Sequence, residues 1–338
     1  MRVLIAGCGY VVTAIGAELV KSWHEVWGLR RDSAAARELE KAGIKPLSAN
    51  LLRVDDLKNL PSVDTVIFCQ APSRKNDEYR ATYFDATKNL LDQFNVGARL
   101  IATLRKIVLI SSTSVYATTD GSWVDETTDP LAGSHSDAES RENAKVMLSQ
   151  EELVLKSGHP AIVFRLAGVY GPGRNRVRAI FEGRLKPVLT DNHMNRIHIH
   201  DIVRGVRLLL DKGIPGQIYL GADDAPCTDR EFYSWLFEKL LLPLPKEIAD
   251  VGARRAVPLH THGSNKRISN KKIKALGMKF RYATYREGYQ PLIDQALVEG
   301  LAKQSDHFSG AWFHDTSSPR SFDKLRMVSE AEPKRGST

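Results

Sequence analysis

Gly7-Cys8-Gly9 closes the apolar run Val3-Leu4-Ile5-Ala6 and opens a stretch with apolar residues at Val11, Ile15 and Leu19. A strand, a glycine turn and an amphipathic helix in that order make a phosphate-binding βα turn. The glycines let the backbone approach a pyrophosphate, and the helix start offers it unpaired N–H groups. Gly7, Cys8, Gly9, Tyr10 and Val11 are therefore candidate cofactor contacts. The third glycine of the fingerprint is replaced by Val12, whose β-branched side chain is expected to push helix and strand apart or to crowd the pyrophosphate. Arg30-Arg31 follow the second apolar run. A guanidinium there pairs with a ribose 2′-phosphate, where an acid would accept from a 2′-hydroxyl, so the pair predicts NADP preferred over NAD. His198 and His200 alternate within Arg196–Asp201 and, on an extended chain, share a face. Imidazoles titrate near neutral pH and suit acid–base work. No third ligand stands at a diagnostic spacing from them, so no metal is expected. Arg174 and Arg178 are candidate anchors for a phosphorylated substrate.

These residues need a scaffold, and the patterning supplies one. Apolar runs at Val3–Ala6, Val26–Leu29, Thr65–Cys69, Ile107–Ile110 and Ile162–Leu166 alternate with helical patterns, notably Glu78–Phe94 and Ser136–Leu155. That alternation predicts an α/β fold, a Rossmann-type doubly wound parallel sheet with a smaller C-terminal substrate region. Past Arg165 the rhythm loosens: a Gly171-Pro172-Gly173 loop, a helix over Ile202–Leu210, a strand over Gln217–Leu220 and a helix over Asp229–Leu241. The expected division is 1–165 for the nucleotide-binding domain and 166–300 for the substrate region. Residues 301–338 are polar, aperiodic and rich in Ser and Pro, and are expected to form a disordered tail, with Trp312 and Phe313 as its apolar points.

The chain of 338 residues carries a net charge of +8, with 42% hydrophobic and 26% charged residues, which is ordinary for a globular protein. It has no membrane-span run and no signal-peptide pattern, which predicts a cytoplasmic location. Cys8, Cys69 and Cys227 lack CxxC spacing, and Cys69 reads as core. Basic residues are dense between Arg254 and Arg286 but match no RNA- or DNA-binding signature, so they read as solvated surface and no nucleic-acid partner is expected.

Six segments, in order, carry a resemblance: RVLIAGCGYV, VLISSTSVYATTDGSWVDET, VFRLAGVYGPGR, NRIHIHDIV, DDAPCTDREFY and NKRISNKKIKALGMKFRYATYREGY. Together they span about residues 1–295. The chain resembles the extended short-chain dehydrogenase/reductase superfamily, and within it the atypical, YeeZ-like subgroup of the NAD-dependent epimerase/dehydratase family. The resemblance implies an NAD(P)-binding domain to which the segment near 196–210 returns. It also implies that Gln70, Ala71 and Pro72 run under the cofactor, that Ala167 and Val169 lie near the nicotinamide, and that two copies form a homodimer.

The same resemblance implies a Ser–Tyr–Lys catalytic set, with Tyr and Lys spaced YxxxK on one helix face. Ser112 matches the serine; Ser111, Thr113 and Ser114 are alternatives. The tyrosine has no counterpart, because no Tyr lies between Tyr116 and Tyr170. Aligning Lys145 with the family lysine puts Arg141 at the tyrosine position; aligning by Glu152 puts Ala144 and Leu148 at the two positions. Tyr170, His198 or a water then stands as substitute acid. Two functions follow. One is an oxidoreductase or epimerase acting on a carbonyl or alcohol of a sugar-like, phosphorylated or nucleotide-linked small molecule. The alternative is a non-catalytic NADP-binding sensor or partner-binding module, as in nitrogen-metabolite-regulator-like proteins, which also lack the tyrosine.

Overall fold

The computed structural model describes residues 1–7, 9–31, 36–72, 79–96, 104–133, 135, 137–181, 183–185, 187, 189–245 and 264–298. Seven strands form one sheet: β1 (Arg2–Ala6), β2 (Glu25–Arg30), β3 (Lys45–Ser48), β4 (Thr65–Phe68), β5 (Lys106–Ser112), β6 (Ala161–Leu166) and β7 (Ile218–Gly221). Their order is β3-β2-β1-β4-β5-β6-β7, and every pairing is parallel. This is the predicted doubly wound α/β sheet, and its direction of winding reverses between β1 and β4. Central strands buried on both faces read as unbroken apolar runs, which is why β1, β4, β5 and β6 are legible in the sequence. β3 is not legible: it is an edge strand of four residues, KPLS, and Pro46 is tolerated because an edge leaves its missing N–H unneeded.

Helices cover both faces. Helix α1 (Tyr10–Lys21) lies on one, and α2 (Ala86–Val96) and α3 (Ala138–Leu155) on the other. Helix α4 (Ile199–Lys212) joins α1: Ile202, Val206 and Leu209 share a cluster with Val3, Ile5 and Val12, and Arg207 Nη1 reaches Glu18 Oε1 at 2.7 Å. Helices α5 (Asp229–Lys239) and α6 (Tyr285–Val298) enclose a separate aromatic cluster of Tyr170, Phe232, Tyr233, Tyr285 and Tyr289. The expected helix over Glu78–Phe94 begins differently, with a π-helical turn at Ala81–Asp85 ahead of α2. The expected tail, Trp312 and Phe313 lie outside the described residues, as does 254–263 of the basic stretch. Among the described residues no helix is long and apolar enough to cross a membrane.

Val12 does neither of the things expected of it. Its side chain is fully buried under α1 in the sheet core, and the close approach of helix to strand is made one turn later, at Gly16. A Cβ on Gly16 would stand 2.5 Å from Ile44 Cδ1 and 3.3 Å from Ile5 Cδ1.

A buried ion pair locks the middle of the sheet to α3. Arg165 Nη2 on β6 donates to Glu151 Oε2 on α3 at 2.6 Å, and both side chains are 3% exposed. The Ser111 hydroxyl donates to Glu151 Oε1 at 2.5 Å, and Arg165 Nη1 donates to the Tyr116 hydroxyl at 2.7 Å. Replacing Arg165 by Leu leaves the Glu151 carboxylate buried and unpaired, which is expected to cost about 3–5 kcal/mol. Urea unfolding would show this as a lower midpoint, and Glu151→Met added to Arg165→Leu should restore most of the loss. A single variant as stable as the parent would refute it.

Candidate active site

The cleft opens where the winding reverses, at the C-terminal ends of β1, β2, β3 and β4. It encloses about 330 Å³, and its lining includes Gly7, Gly9, Arg30, Arg31, Asn50, Leu51, Cys69, Gln70, Ala71, Thr82 and Ala86. Gly7 has φ +90°, and a Cβ there would stand 2.6 Å from Gln70 Cα, so only glycine lets the β1 turn slide under the end of β4. Gly9 is the N-cap of α1 and has no side chain to satisfy the first N–H groups of the helix. A Cβ on Gly9 would meet nothing within 4 Å, so open space lies over the helix start. That open space, bounded by backbone donors and two arginines, fits a dinucleotide pyrophosphate. Gln70 adds a second sign of fit. It is 8% exposed, its Nε2 donates to Thr87 Oγ1 at 3.3 Å, and its Oε1 has no partner among the described residues.

The residues predicted from sequence divide here. Gly7, Gly9, Arg30, Arg31, Gln70 and Ala71 converge on the cleft. Tyr10 and Val11 pack against the sheet core, and the Tyr10 hydroxyl donates to Pro172 O at 2.9 Å, tying the start of α1 to the Gly171–Gly173 loop. Ala167 is buried beside Val115 and Met147, Val169 is half-buried against the core, and Pro72 does not line the cleft. Cys8 lies outside the described residues. Cys69, read as core, is half-buried and on the cleft wall; it and Cys227 are free thiols. Asn50 and Leu51 went unseen because they follow β3, the strand the pattern does not reveal.

At the end of β5 four hydroxyls have separate fates. Ser111 and Thr113 are buried and committed, Ser111 to Glu151 and Thr113 Oγ1 to Leu166 O at 3.3 Å. Ser112 caps the one-turn 3₁₀ segment Thr113–Val115, accepting from Ser114 N at 3.1 Å. The Ser112 hydroxyl proton has no acceptor among the described residues, and the residue is half-buried. On α3 the buried acid is Glu151; Glu152 is exposed and pairs with Lys156. Met147 and Asn143 stand four and eight residues before Glu151, on one stripe of α3. Met147 Sδ lies 3.9 Å from Ser114 Oγ. Lys145 is on the solvent side, its Nζ 2.6 Å from Glu142 Oε1. Lys266, by contrast, is buried and donates to Tyr116 O and Ser264 Oγ, both at 2.9 Å, and burial lowers its amine to about 8.

Tyr170 and His198 serve the C-terminal half. The Tyr170 ring stacks on Tyr289 with centroids 4.7 Å apart, and a Cβ on Gly288 would stand 2.0 Å from its hydroxyl. Burial pushes that phenol well above its ordinary range. His198 ends a short extended segment, Arg196–His198, and its Nδ1 accepts from His200 N at 3.2 Å as the N-cap of α4. His200 is thus in the first helical turn, not on a strand, and the two rings meet edge to face with centroids 5.0 Å apart. Arg174 and Arg178 are exposed, Arg174 with its guanidinium 5.9 Å from the Tyr10 ring centre. Among the described residues no group of three or more His, Cys, Asp or Glu side chains is arranged to hold a metal.

The model of the NAD dependent epimerase/dehydratase family matches residues 3–221, from β1 through β7. The chain belongs to that family. No curated protein matches it at a significant level. Among solved structures it is similar to a functionally unknown conserved protein from Silicibacter pomeroyi, at 28% identity and TM-score 0.69, over 87% of this chain and 99% of that one. A putative NAD-dependent epimerase/dehydratase from Methylobacillus flagellatus is 26% identical, with TM-score 0.66, over 87% and 98%. The Thermus thermophilus UDP-glucose 4-epimerase, solved with NAD, shares the fold at 18% identity and TM-score 0.66, over 92% and 100%.

His198 gives the site region a pH signature. Burial above all, with His200 and Arg281 adding to it, lowers its imidazole from 6.5 to about 4. The unfolded chain takes up that proton first, so the contribution is intact above pH 6.5 and is lost as pH falls towards 4. The loss is about 3 kcal/mol. His198→Asn keeps a capping acceptor and should flatten the stability profile between pH 6.5 and 4. Equal acid sensitivity in both proteins would refute the assignment.

Proposed function

We propose that this family member is an NADP-preferring oxidoreductase or epimerase acting on a carbonyl or alcohol of a sugar-like, nucleotide-linked substrate. The observation that carries the reading is the cleft itself. It joins a glycine turn, a free helix start and two guanidinium groups, and no acid stands among its described lining residues. A bound nicotinamide nucleotide would supply or accept hydride at a substrate carbon. The chain's own residues do the rest. The start of α1 and Gly9 hold the pyrophosphate, Arg30 and Arg31 pair with the 2′-phosphate, and Gln70 Oε1 accepts from a ligand hydroxyl. Ser112, whose proton is uncommitted, donates to the substrate oxygen and polarises it. The nucleotide-linked substrate class is supported by the Thermus thermophilus neighbour, a UDP-glucose 4-epimerase. That neighbour holds NAD; Arg30 and Arg31 are what favour the phosphorylated cofactor here.

A second reading, a non-catalytic NADP-binding module, is favoured by Asn143 and Met147 on the face of α3 where the family's phenol and amine are expected. It predicts cofactor binding without hydride transfer.

Calorimetric titration with NADP, NADPH, NAD and NADH tests the cofactor assignment. The phosphorylated pair should bind at least about tenfold tighter, a difference of about 1.4 kcal/mol. Gly9→Ala should weaken all four while leaving the melting temperature unchanged, because its methyl meets ligand space and not protein. Equal affinity for the four nucleotides would remove the arginines from the 2′-phosphate.

Ser112→Ala tests the catalytic assignment. Turnover of nucleotide-sugar carbonyls, screened with the preferred cofactor, should fall by about tenfold or more, as expected for loss of one donor to the reacting oxygen. Undiminished turnover would exclude Ser112.

A further inference from the structure

Two phenols stand where α3 supplies none. Tyr79 and Tyr83 flank the start of the π-helical turn Ala81–Asp85, one turn apart, with ring centroids 4.7 Å apart. The Tyr79 hydroxyl donates to Met147 Sδ at 3.1 Å, the same sulfur that lies 3.9 Å from Ser114 Oγ. Tyr79 thus reaches across to the stripe of α3 that faces the Ser112–Ser114 turn. The segment that carries it also supplies Thr82 and Ala86 to the cleft wall, and Cys69 of that wall lies within electrostatic reach of Tyr83. A π-helical turn is a rare, strained element that recurs at functional sites. A thioether is a weak acceptor, so the Tyr79 proton is held loosely.

We propose that Tyr79, backed by Tyr83, is the proton-transferring phenol of this enzyme, taking the role that the family's helix tyrosine cannot fill here. The proposal rests on the oxidoreductase or epimerase reading above. In the reducing direction the substrate carbonyl carbon takes hydride from the dihydronicotinamide, and the carbonyl oxygen takes the Tyr79 proton. The C=O π pair becomes the new O–H bond. The substrate gains two electrons, the nicotinamide loses two, and Tyr79 is left as a phenolate to be reprotonated from solvent. Ser112 steadies the same oxygen. Tyr83 gives Tyr79 the polar neighbour that a lysine gives in the family. Burial raises Tyr79, while its contact with the Tyr83 hydroxyl lowers it; the same contact adds to burial in raising Tyr83. The asymmetry makes Tyr79 the more acidic of the two. The other named candidates lie elsewhere: the Tyr170 ring is packed in the aromatic cluster of the C-terminal half, and His198 caps the start of α4.

A donor to the substrate oxygen must lie beside the hydride-bearing ring, so the cationic oxidised ring must lower its pKa. The experiment is NMR titration of full-length protein labelled at the tyrosine ring carbon that bears the hydroxyl. It is saturated with NADP or NADPH as calorimetry confirms, with NAD and NADH as the second pair. The Tyr79 resonance is assigned by its loss in Tyr79→Phe, which keeps the ring packing. Its midpoint should fall by about one to three pH units with the oxidised cofactor relative to the reduced one. Tyr83→Phe should raise it. Bound cofactor with an identical Tyr79 midpoint in both redox states overturns the proposal alone. Failure of all four nucleotides to bind overturns the nucleotide-dependent reading and the proposal with it.

Discussion

The Glu151–Arg165 pair sets the conditions under which the rest of the site can exist. Two charges held away from water are tolerable only if every lone pair and proton finds a partner. Arg165 therefore spends its donors on Glu151 and on the Tyr116 hydroxyl, and Tyr116 passes its own proton to Asp125 O at 3.0 Å. Glu151 accepts from Ser111 as well. These bonds join β5, β6, α3 and the loop after β5 in one network with no slack. Ser111 cannot leave the end of β5, and Ser112, the last extended residue of that strand, caps the turn that follows with its proton uncommitted. Four residues before Glu151, Met147 is carried to the same turn. An apolar triad of equal volume would pack these elements as well, but nothing in it would demand this register.

The cleft at the winding reversal depends on the opposite condition. Its main feature is backbone whose bonds are unmade, the first N–H groups of α1. A helix start attracts an anion by about 0.3–1 kcal/mol at an exposed site. That is too little for a dinucleotide, so affinity must come from several such terms at once. Gly7 brings the β1 turn against β4, which narrows the cleft, and Arg30 and Arg31 add charge at its far end. The core under the cleft tolerates Val12 because the demand for a small residue moves to Gly16. The fingerprint's third glycine is one solution to helix–sheet contact, and a small residue one turn later is another.

The sheet was legible wherever strands are buried on both faces; Gly7, Gly9, Arg30 and Arg31, which end or follow such strands, line the cleft, as do Gln70 and Ala71, which only the resemblance pointed to. What sequence could not show was set by tertiary contact. β3 is an edge, so its residues need not be apolar, and Asn50 disappeared with it. Whether Glu151 or Glu152 faces the core depends on Arg165, fourteen residues away, and a helical wheel with mixed polar residues does not decide it. His198 and His200 read as an alternating strand because helix α4 starts between them, and the cap that starts it is His198 itself. Tyr79 and Tyr83 carried a signal, two phenols four residues apart beside an apolar helix, but that spacing is as common in ordinary cores.

The face of α3 shows why a phenol from another element is physically reasonable. Asn143, Met147 and Glu151 recur at steps of four and form one stripe beside the Ser112 turn. A lysine at 147 would bring an ammonium towards Arg165, whose charge Glu151 already balances, and the buried pair would become a three-charge cluster. Met147 avoids that conflict and offers a soft surface on which Tyr79 can rest. Removing the lysine removes the cation that makes a helix tyrosine acidic, so a tyrosine on α3 would gain little by staying. A phenol on the π-helical turn has a neighbouring hydroxyl instead, from Tyr83. It also rides on the element that supplies Thr82 and Ala86 to the cleft wall, so a ligand pressing on that wall would position the proton donor directly.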